Sequence, residues 1–256
     1  MRNVLITAAF AALFSPMLVA QGLIKVEPNS MMRLPGNTSV LLIERLEVAD
    51  HGTLLVPAGL TEIRVASIHL GPDARIAIAP SERSFRLEVA TGEIASGAQV
   101  TARGAPGTFE HPAVAGRTLV VRLENVTTES LLIDVRGGKG TPGYVGLMGA
   151  NGKAGGCLWG QSSKGLDGYD GGDGHAGASG GHLRLEVPQA FPTERLTVRT
   201  EGGEGGMAGA AGVGGTGGAS KGCWIYDTAG ARNGRPGQAG QTGAMGAPGS
   251  ADIITF

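Results

Sequence analysis

GLDGYDGGDGHAGASGG (residues 165–181) and GRPGQAGQTGAMGAPGS (residues 234–250) place glycine at every third position, from Gly165 to Gly180 and from Gly234 to Gly249. The same phase runs from Gly137 to Gly155 and from Gly203 to Gly218. Three residues per turn is the period of the left-handed extended helix, so a glycine in each turn leaves one edge free of side chains. Backbones can approach along that edge and exchange hydrogen bonds. A collagen strand uses it too, but in long, proline-rich runs; here the four runs hold only Pro142, Pro236 and Pro248. A flexible linker needs neither strict phase nor apolar residues such as Leu147, Met148, Met207, Val213 and Met245. The pattern predicts a compact bundle of antiparallel extended helices within one chain.

The positions between the glycines refine this. In the third run the residues Gly205, Ala208, Ala211, Gly214 and Gly217 form a column of minimal size, which predicts a place in the middle of the bundle. In the second run Asp167, Asp170 and Asp173 form a column suited to a solvent face. At about 3.1 Å per residue, an 18-residue run spans roughly 55 Å.

The glycine-rich half is duplicated. LLIDVRGGKG (131–140) is echoed by RLTVRTEGGEGG (195–206), and each copy continues as glycine run, cysteine loop, glycine run and strand-like tail. The copies cover residues 131–187 and 196–256, with tails HLRLEV and ADIITF. If each is a hairpin, the loops 156–164 and 222–233 lie at the same end. Cys157 and Cys223 open those loops at equivalent places, which predicts a disulfide stapling the two tips if the compartment is oxidising.

Residues 21–130 form a β-strand-rich domain. Val40–Ile43, Leu54–Val56, Ile63–Ile68, Ile76–Ile78, Phe85–Val89 and Leu119–Leu123 alternate apolar and polar residues between glycine, proline or aspartate. The expected fold is an all-β N-terminal half, a β-solenoid or a small sandwich, followed over 131–256 by a duplicated polyglycine-II helix bundle. Essentially no α-helix is expected after residue 20. Residues 1–20, MRNVLITAAFAALFSPMLVA, have the charged start, short apolar stretch and small final residue of a secretory signal peptide. The protein is therefore expected to be exported, to the periplasm, cell surface or extracellular space, with no transmembrane segment in the mature chain. With 21 basic and 22 acidic residues, it lacks the basic excess of a nucleic-acid binder.

The four phased runs resemble the polyglycine-II bundle proteins: snow-flea antifreeze proteins, the distal adhesins of phage tail fibres, and secreted proteins labelled collagen-like. The resemblance covers the C-terminal half only. For the adhesins it implies a rigid platform whose end loops bind bacterial surface receptors; for the antifreeze proteins, a flat face of small residues that binds ice. This chain departs from both in its signal-like start and β-rich N-terminal half.

Trp159 and Trp224, the two tryptophans, follow closely on the two cysteines, and Tyr226 shares the second loop. Aromatics among polar residues on loops held by a rigid scaffold are a common way to build a binding surface; the alternative is that they cap the bundle end and cover the disulfide. Other motifs dissolve on inspection. G-x-G-x-x-G at Gly138, Gly140 and Gly143 is followed by more phased glycine rather than the helix a dinucleotide site requires. The G-x-S-x-G around Ser179 lies inside a run, without a strand–turn–helix elbow. GGDGHAGAS departs from the calcium nonapeptide at Ala176, and the aspartate column is spaced about 9 Å per step, too wide for one ion. Glu44, Glu47, Asp50, Glu62 and Asp73 are scattered among strands with no pair singled out. The sequons at Asn37 and Asn125 matter only in a eukaryotic source.

The function expected is non-enzymatic: a structural or adhesive protein whose Trp159, Trp224 and Tyr226 bind a surface glycan or envelope protein, without cofactor, metal or nucleic acid. An extracellular filament or matrix subunit is the alternative; an ice-binding protein and a β-solenoid carbohydrate-active enzyme rank below it.

Overall fold

The computed structural model describes residues 18–157 and 160–256. Among these residues the chain is almost wholly β, with one 3-10 turn at Thr193–Arg195 and no α-helix. Strands come in long–short succession: β1 (Leu18–Val26) and β2 (Met31–Arg33), β3 (Val40–Val48) and β4 (Thr53–Val56), β5 (Glu62–Leu70) and β6 (Arg75–Ile78), β7 (Phe85–Ile94) and β8 (Ala98–Thr101), β9 (Leu119–Thr128) and β10 (Leu131–Asp134), β11 (His182–Val187) and β12 (Leu196–Arg199). A small ribbon, β13 (Lys221–Gly222) and β14 (Asp227–Thr228), and a last strand, β15 (Ser250–Thr255), complete the series. One sheet runs β1-β3-β5-β7-β9-β11-β15 and the other β12-β10-β8-β6-β4-β2. Every pairing in both sheets is parallel.

Alternation fixes the register. Leu41, Ile63, Leu87, Val121 and Leu185 stand opposite one another along the first sheet and are all buried. Ile43, Val65, Val89 and Leu123 form the next buried row. A one-residue slip would turn every one of these side chains to solvent. Between Ile43 and Leu46 two successive residues, Glu44 and Arg45, are exposed, and Ala66–Ser67, Ala90–Thr91 and Glu124–Asn125 repeat this break in alternation. Each long strand therefore turns a corner at the same height. The turn into the short strand is also shared: Asn29, His51 and Asp73 have φ of 54–55° and Gly97 has 74°, a left-handed conformation that Asn, Asp and Gly tolerate best.

Return connections from the short-strand sheet to the long-strand sheet lengthen along the chain. Early ones, such as residues 57–61, are brief; later ones cover residues 102–118, 135–181 and 200–249. The last two are the glycine-rich hairpins. Both sheets run through residue 130, since β8 pairs with β10 and β9 with β11. Of residues 1–20, the expected leader, 1–17 lie outside the described residues; Leu18, Val19 and Ala20 pair with Val40, Leu41 and Leu42 as the start of β1.

The glycine runs hydrogen-bond every third residue. First-run amides donate to the third run in parallel, as Gly143 N to Met207 O (2.9 Å) and Gly146 N to Ala210 O (2.8 Å). Second-run glycines donate in parallel to the fourth, as Gly171 N to Gln238 O (2.8 Å). Antiparallel bonds join second to first (Tyr169 N to Leu147 O, 2.9 Å), third to second (Gly212 N to Tyr169 O, 2.9 Å) and fourth to third (Gly237 N to Gly212 O, 2.9 Å). The second and third runs thus each touch three neighbours, and the first and fourth touch two. The aspartate column is exposed and has a further task. Asp167, Asp170 and Asp173 accept from the amides of Arg235, Gln238 and Gln241 at 2.7–2.8 Å, taking donors that the glycine ladder does not use.

Candidate binding site at the hairpin tips

The two hairpins end side by side. Cys157 and Cys223 form a disulfide with Cα atoms 5.5 Å apart, as the duplicated sequence predicts, and no free cysteine remains among the described residues. The first tip closes through Gly156 N to Gly160 O (3.0 Å). The second is the β13–β14 ribbon, whose turn Cys223-Trp224-Ile225-Tyr226 is held by Cys223 N donating to Tyr226 O (2.8 Å). Ser162 Oγ reaches from the first tip to Ala229 O (2.6 Å), and the Tyr226 hydroxyl donates to Cys157 O. Both contacts tie one tip to the other.

The three sequence-predicted aromatics separate in role. Trp224 is 98% exposed, which does not suit a cover for the disulfide; Ile225 beside it is 84% exposed. Tyr226 is half-exposed and spends its hydroxyl on the other tip, so it is a strut as well as surface. Trp159 lies outside the described residues. Between the tips is an open cavity of about 580 Å³ lined by Gly156, Gln161, Ser162, Tyr226, Thr228 and Ala229. Tyr226 is the aromatic residue that lines it, among hydroxyl and amide groups; Trp224 is not part of the lining and stands in solvent.

The carboxylates scattered along the N-terminal half do not converge. Glu62 pairs with Arg64, and Asp73 lies 3.8 Å from His51 Nδ1 in the turn column. The long-strand sheet carries a shallow groove of about 440 Å³ floored by Ala66 and Ala90. Of the three acids lining it, Glu88 is held by Arg64 and Arg86, Glu124 by Arg122, and Glu44 is exposed to solvent. Among the described residues no group of three or more His, Cys, Asp or Glu side chains is arranged to hold a metal ion, and no helix is long and apolar enough to cross a membrane.

Sequence reasoning missed Ile225, although its place between Trp224 and Tyr226 in a four-residue turn is legible once the ribbon is known. It also missed Arg117, which is fully buried and donates to the carbonyls of Arg83 (2.7 Å), Ala79 (3.2 Å) and Leu60 (2.7 Å). Its guanidinium also lies 5.2 Å from the Phe85 ring centroid. No local signal marks an arginine as a clamp between three connections.

No protein-family model matches the chain, and neither a curated protein nor a solved structure matches it.

Proposed function

We propose that this is an exported, non-enzymatic adhesive protein: a β-solenoid carrying two glycine hairpins packed as a polyglycine-II bundle, whose joined tips bind a cell-surface glycan or envelope protein. The observation that carries the reading is Trp224, almost wholly exposed with Ile225 on a turn that a disulfide and two cross-tip hydrogen bonds hold in place. An unsupported indole in water gains nothing for folding, whereas a rigidly presented one lowers the ordering cost of association. The parallel sheets and the turns shared from one coil to the next support the solenoid. Period-three hydrogen bonding among four glycine runs supports the bundle. The disulfide is compatible with an oxidising, extracytoplasmic compartment.

The test is retention on isolated cell-envelope material, comparing the wild type with Trp224→Ala and with a Trp159→Ala, Trp224→Ala double variant. Loss of retention in the variants, with unchanged circular dichroism, is expected. Equal retention of all three proteins rejects the tips as the binding surface.

A further inference from the structure

Beyond the shared corner, the long strands β1, β3, β5, β7 and β9 each continue as a second arm, and each arm but the last is paired with the next. Residues 23–26 pair with 45–48, these with 67–70, then 91–94, then 125–128. β11 has no such arm. Its pairing with β9 ends at Glu186 opposite Arg122, and the strand itself ends at Val187. Pro188 follows, and the chain makes a detour through Phe191, Pro192 and the 3-10 turn before rejoining the other sheet as β12. The two prolines lack the amides that a strand arm would supply.

The outer edge of residues 125–128 is therefore left without a strand. In a parallel ladder one residue turns its N–H and C=O to one neighbouring strand, and the next residue turns them to the other. Glu129 N donates back to Ile94 O (2.9 Å), so the backbone groups of Val126 and Thr128 face away from β7. The Thr128 carbonyl accepts from Arg195 Nη1 (2.9 Å). Among the described residues no protein group meets the Val126 N–H, the Val126 carbonyl or the Thr128 N–H.

The core row that leads to this edge changes character at its end. Val26, Val48, Leu70 and Ile94 stand opposite one another and are buried, and Thr128 is the fifth member. Thr128 is 4% exposed, and its Oγ1 is buried without a hydrogen-bond partner. A valine there would fill the same space without an unmet hydroxyl. Between the edge and the detour lies a cavity of about 430 Å³, lined by Asn125, Val126 and Thr128 on one side and by Phe191, Pro192 and Arg195 on the other.

We propose that this cavity receives an extended peptide segment of a partner protein, added to β9 as the second arm that β11 lacks. Strand addition takes its affinity from main-chain hydrogen bonds and its selectivity from side-chain pockets along the edge. The edge offers donor, acceptor and donor in succession, which two C=O groups and one N–H of a three-residue extended segment complete. A lipid or a flat apolar surface has no such succession of groups. The Thr128 hydroxyl can both donate and accept, so the residue opposite it carries a hydroxyl or a side-chain amide. An apolar residue two positions away suits Val126 and Phe191, which line the same cavity. The site is separate from the hairpin tips, and the proposal does not rest on their function.

The test starts with amide hydrogen exchange of the full chain by NMR. In the free protein the Val126 and Thr128 amides should exchange at least about tenfold faster than that of Glu129, which is bonded to β7. The probe is a phage-displayed random heptapeptide library panned on the full chain, with the selected sequences then synthesised. The expected result is a peptide with Ser, Thr, Asn or Gln at one fixed position that slows exchange of both amides at least about tenfold. Val126→Pro removes an outward N–H and should weaken that peptide at least about tenfold. Thr128→Val should weaken it about 3–10-fold and yet raise the Tm of the free protein by about 2–4 °C; a hydroxyl with a purely structural role would not give these opposite signs. Should Val126→Pro fail to fold, Thr128→Val carries the test. The proposal is overturned if no peptide is selected, or if the selected peptides bind the folded variants as they bind the wild type. A lower Tm for Thr128→Val also overturns it, by showing that bound water already satisfies the hydroxyl. So does protection of the two amides without peptide: at all concentrations it would show the edge closed by the chain itself, and only at high concentration it would assign the edge to a second copy.

Discussion

Gly171→Ala and Gly172→Ala add the same methyl group at adjacent positions of the second run, and the structure separates their consequences. At Gly171 the new Cβ would lie 2.2 Å from Gly209 O and 2.6 Å from Ala210 O, both backbone atoms of the third run. Ordinary contact requires the third run to recede by about 1 Å. The bonds Gly209 N to Gly172 O and Gly212 N to Tyr169 O, both 2.9 Å, flank the site and would then exceed hydrogen-bonding range. Each pair left unsatisfied in the interior costs about 1–3 kcal/mol, and alanine recovers less than about 1 kcal/mol through the unfolded chain. The net loss should be about 3 kcal/mol, or roughly 6–12 °C in Tm for a chain of this size. At Gly172 the obstacle is the Tyr144 ring at 2.5 Å, an exposed side chain that can swing away; the loss should stay below about 1 kcal/mol. Urea unfolding followed by far-UV circular dichroism measures both. Variants that differ by less than about 0.5 kcal/mol would refute the view that backbone contact sets the glycine phase.

Arg117→Met should destabilise the protein by about 1–3 kcal/mol in the same assay, because three carbonyls lose their donor and that of Leu60 is left buried without one; a neutral result would show that water replaces the guanidinium. Replacing Cys157 and Cys223 by serine opens a covalent loop with a sequence separation of 66 and should cost up to about 4 kcal/mol, read as a lower urea midpoint; an unchanged midpoint would show that the other tip contacts suffice. Burial works against the Asp134 carboxylate, but hydrogen bonds from Arg136 and the charges of Arg136 and Arg103 outweigh it and hold its pKa below the usual value. A depressed pKa gives stability that is complete above the ordinary carboxylate value near 4 and fades as pH falls through the folded value. Asp134→Asn should therefore flatten the stability curve in that acidic window; an unchanged slope would refute the assignment. Asp170→Ala should speed hydrogen exchange at the Gln238 amide, its only partner in the ladder, while leaving the Gly240 amide, which donates to Gly209 O, protected.

Much of the local structure is legible in the chain. Phe85–Val89 and Leu119–Leu123 fall inside β7 and β9, and HLRLEV is β11, because a half-buried strand must alternate. The cysteine pair is legible because duplication assigns the two residues equivalent places. The aspartate column is read correctly as exposed, but its role as an acceptor for fourth-run amides depends on a neighbour 68 residues away. The small column of the third run is also less strict than it looks. It admits Ala208 and Ala211 where Gly205 and Gly214 would place a methyl within 1.9–2.2 Å of fourth-run carbonyls.

By itself the sequence determined which residues are extended, which edge of each run lacks side chains, and which cysteines meet; each follows from a period or a repeat within one segment. Only the tertiary structure decided that the glycine hairpins are long connections of the same two sheets that begin at β1 and β2. It also decided that the second run is as central as the third, whose column of small residues already marked it, and that Trp224 is free while Tyr226 is engaged. The physical reason is degeneracy. All four runs offer the same donor, acceptor and bare edge every three residues, so a local signal cannot choose among partners or among shifts of three. That choice falls to the sheets, which fix where each hairpin leaves and returns.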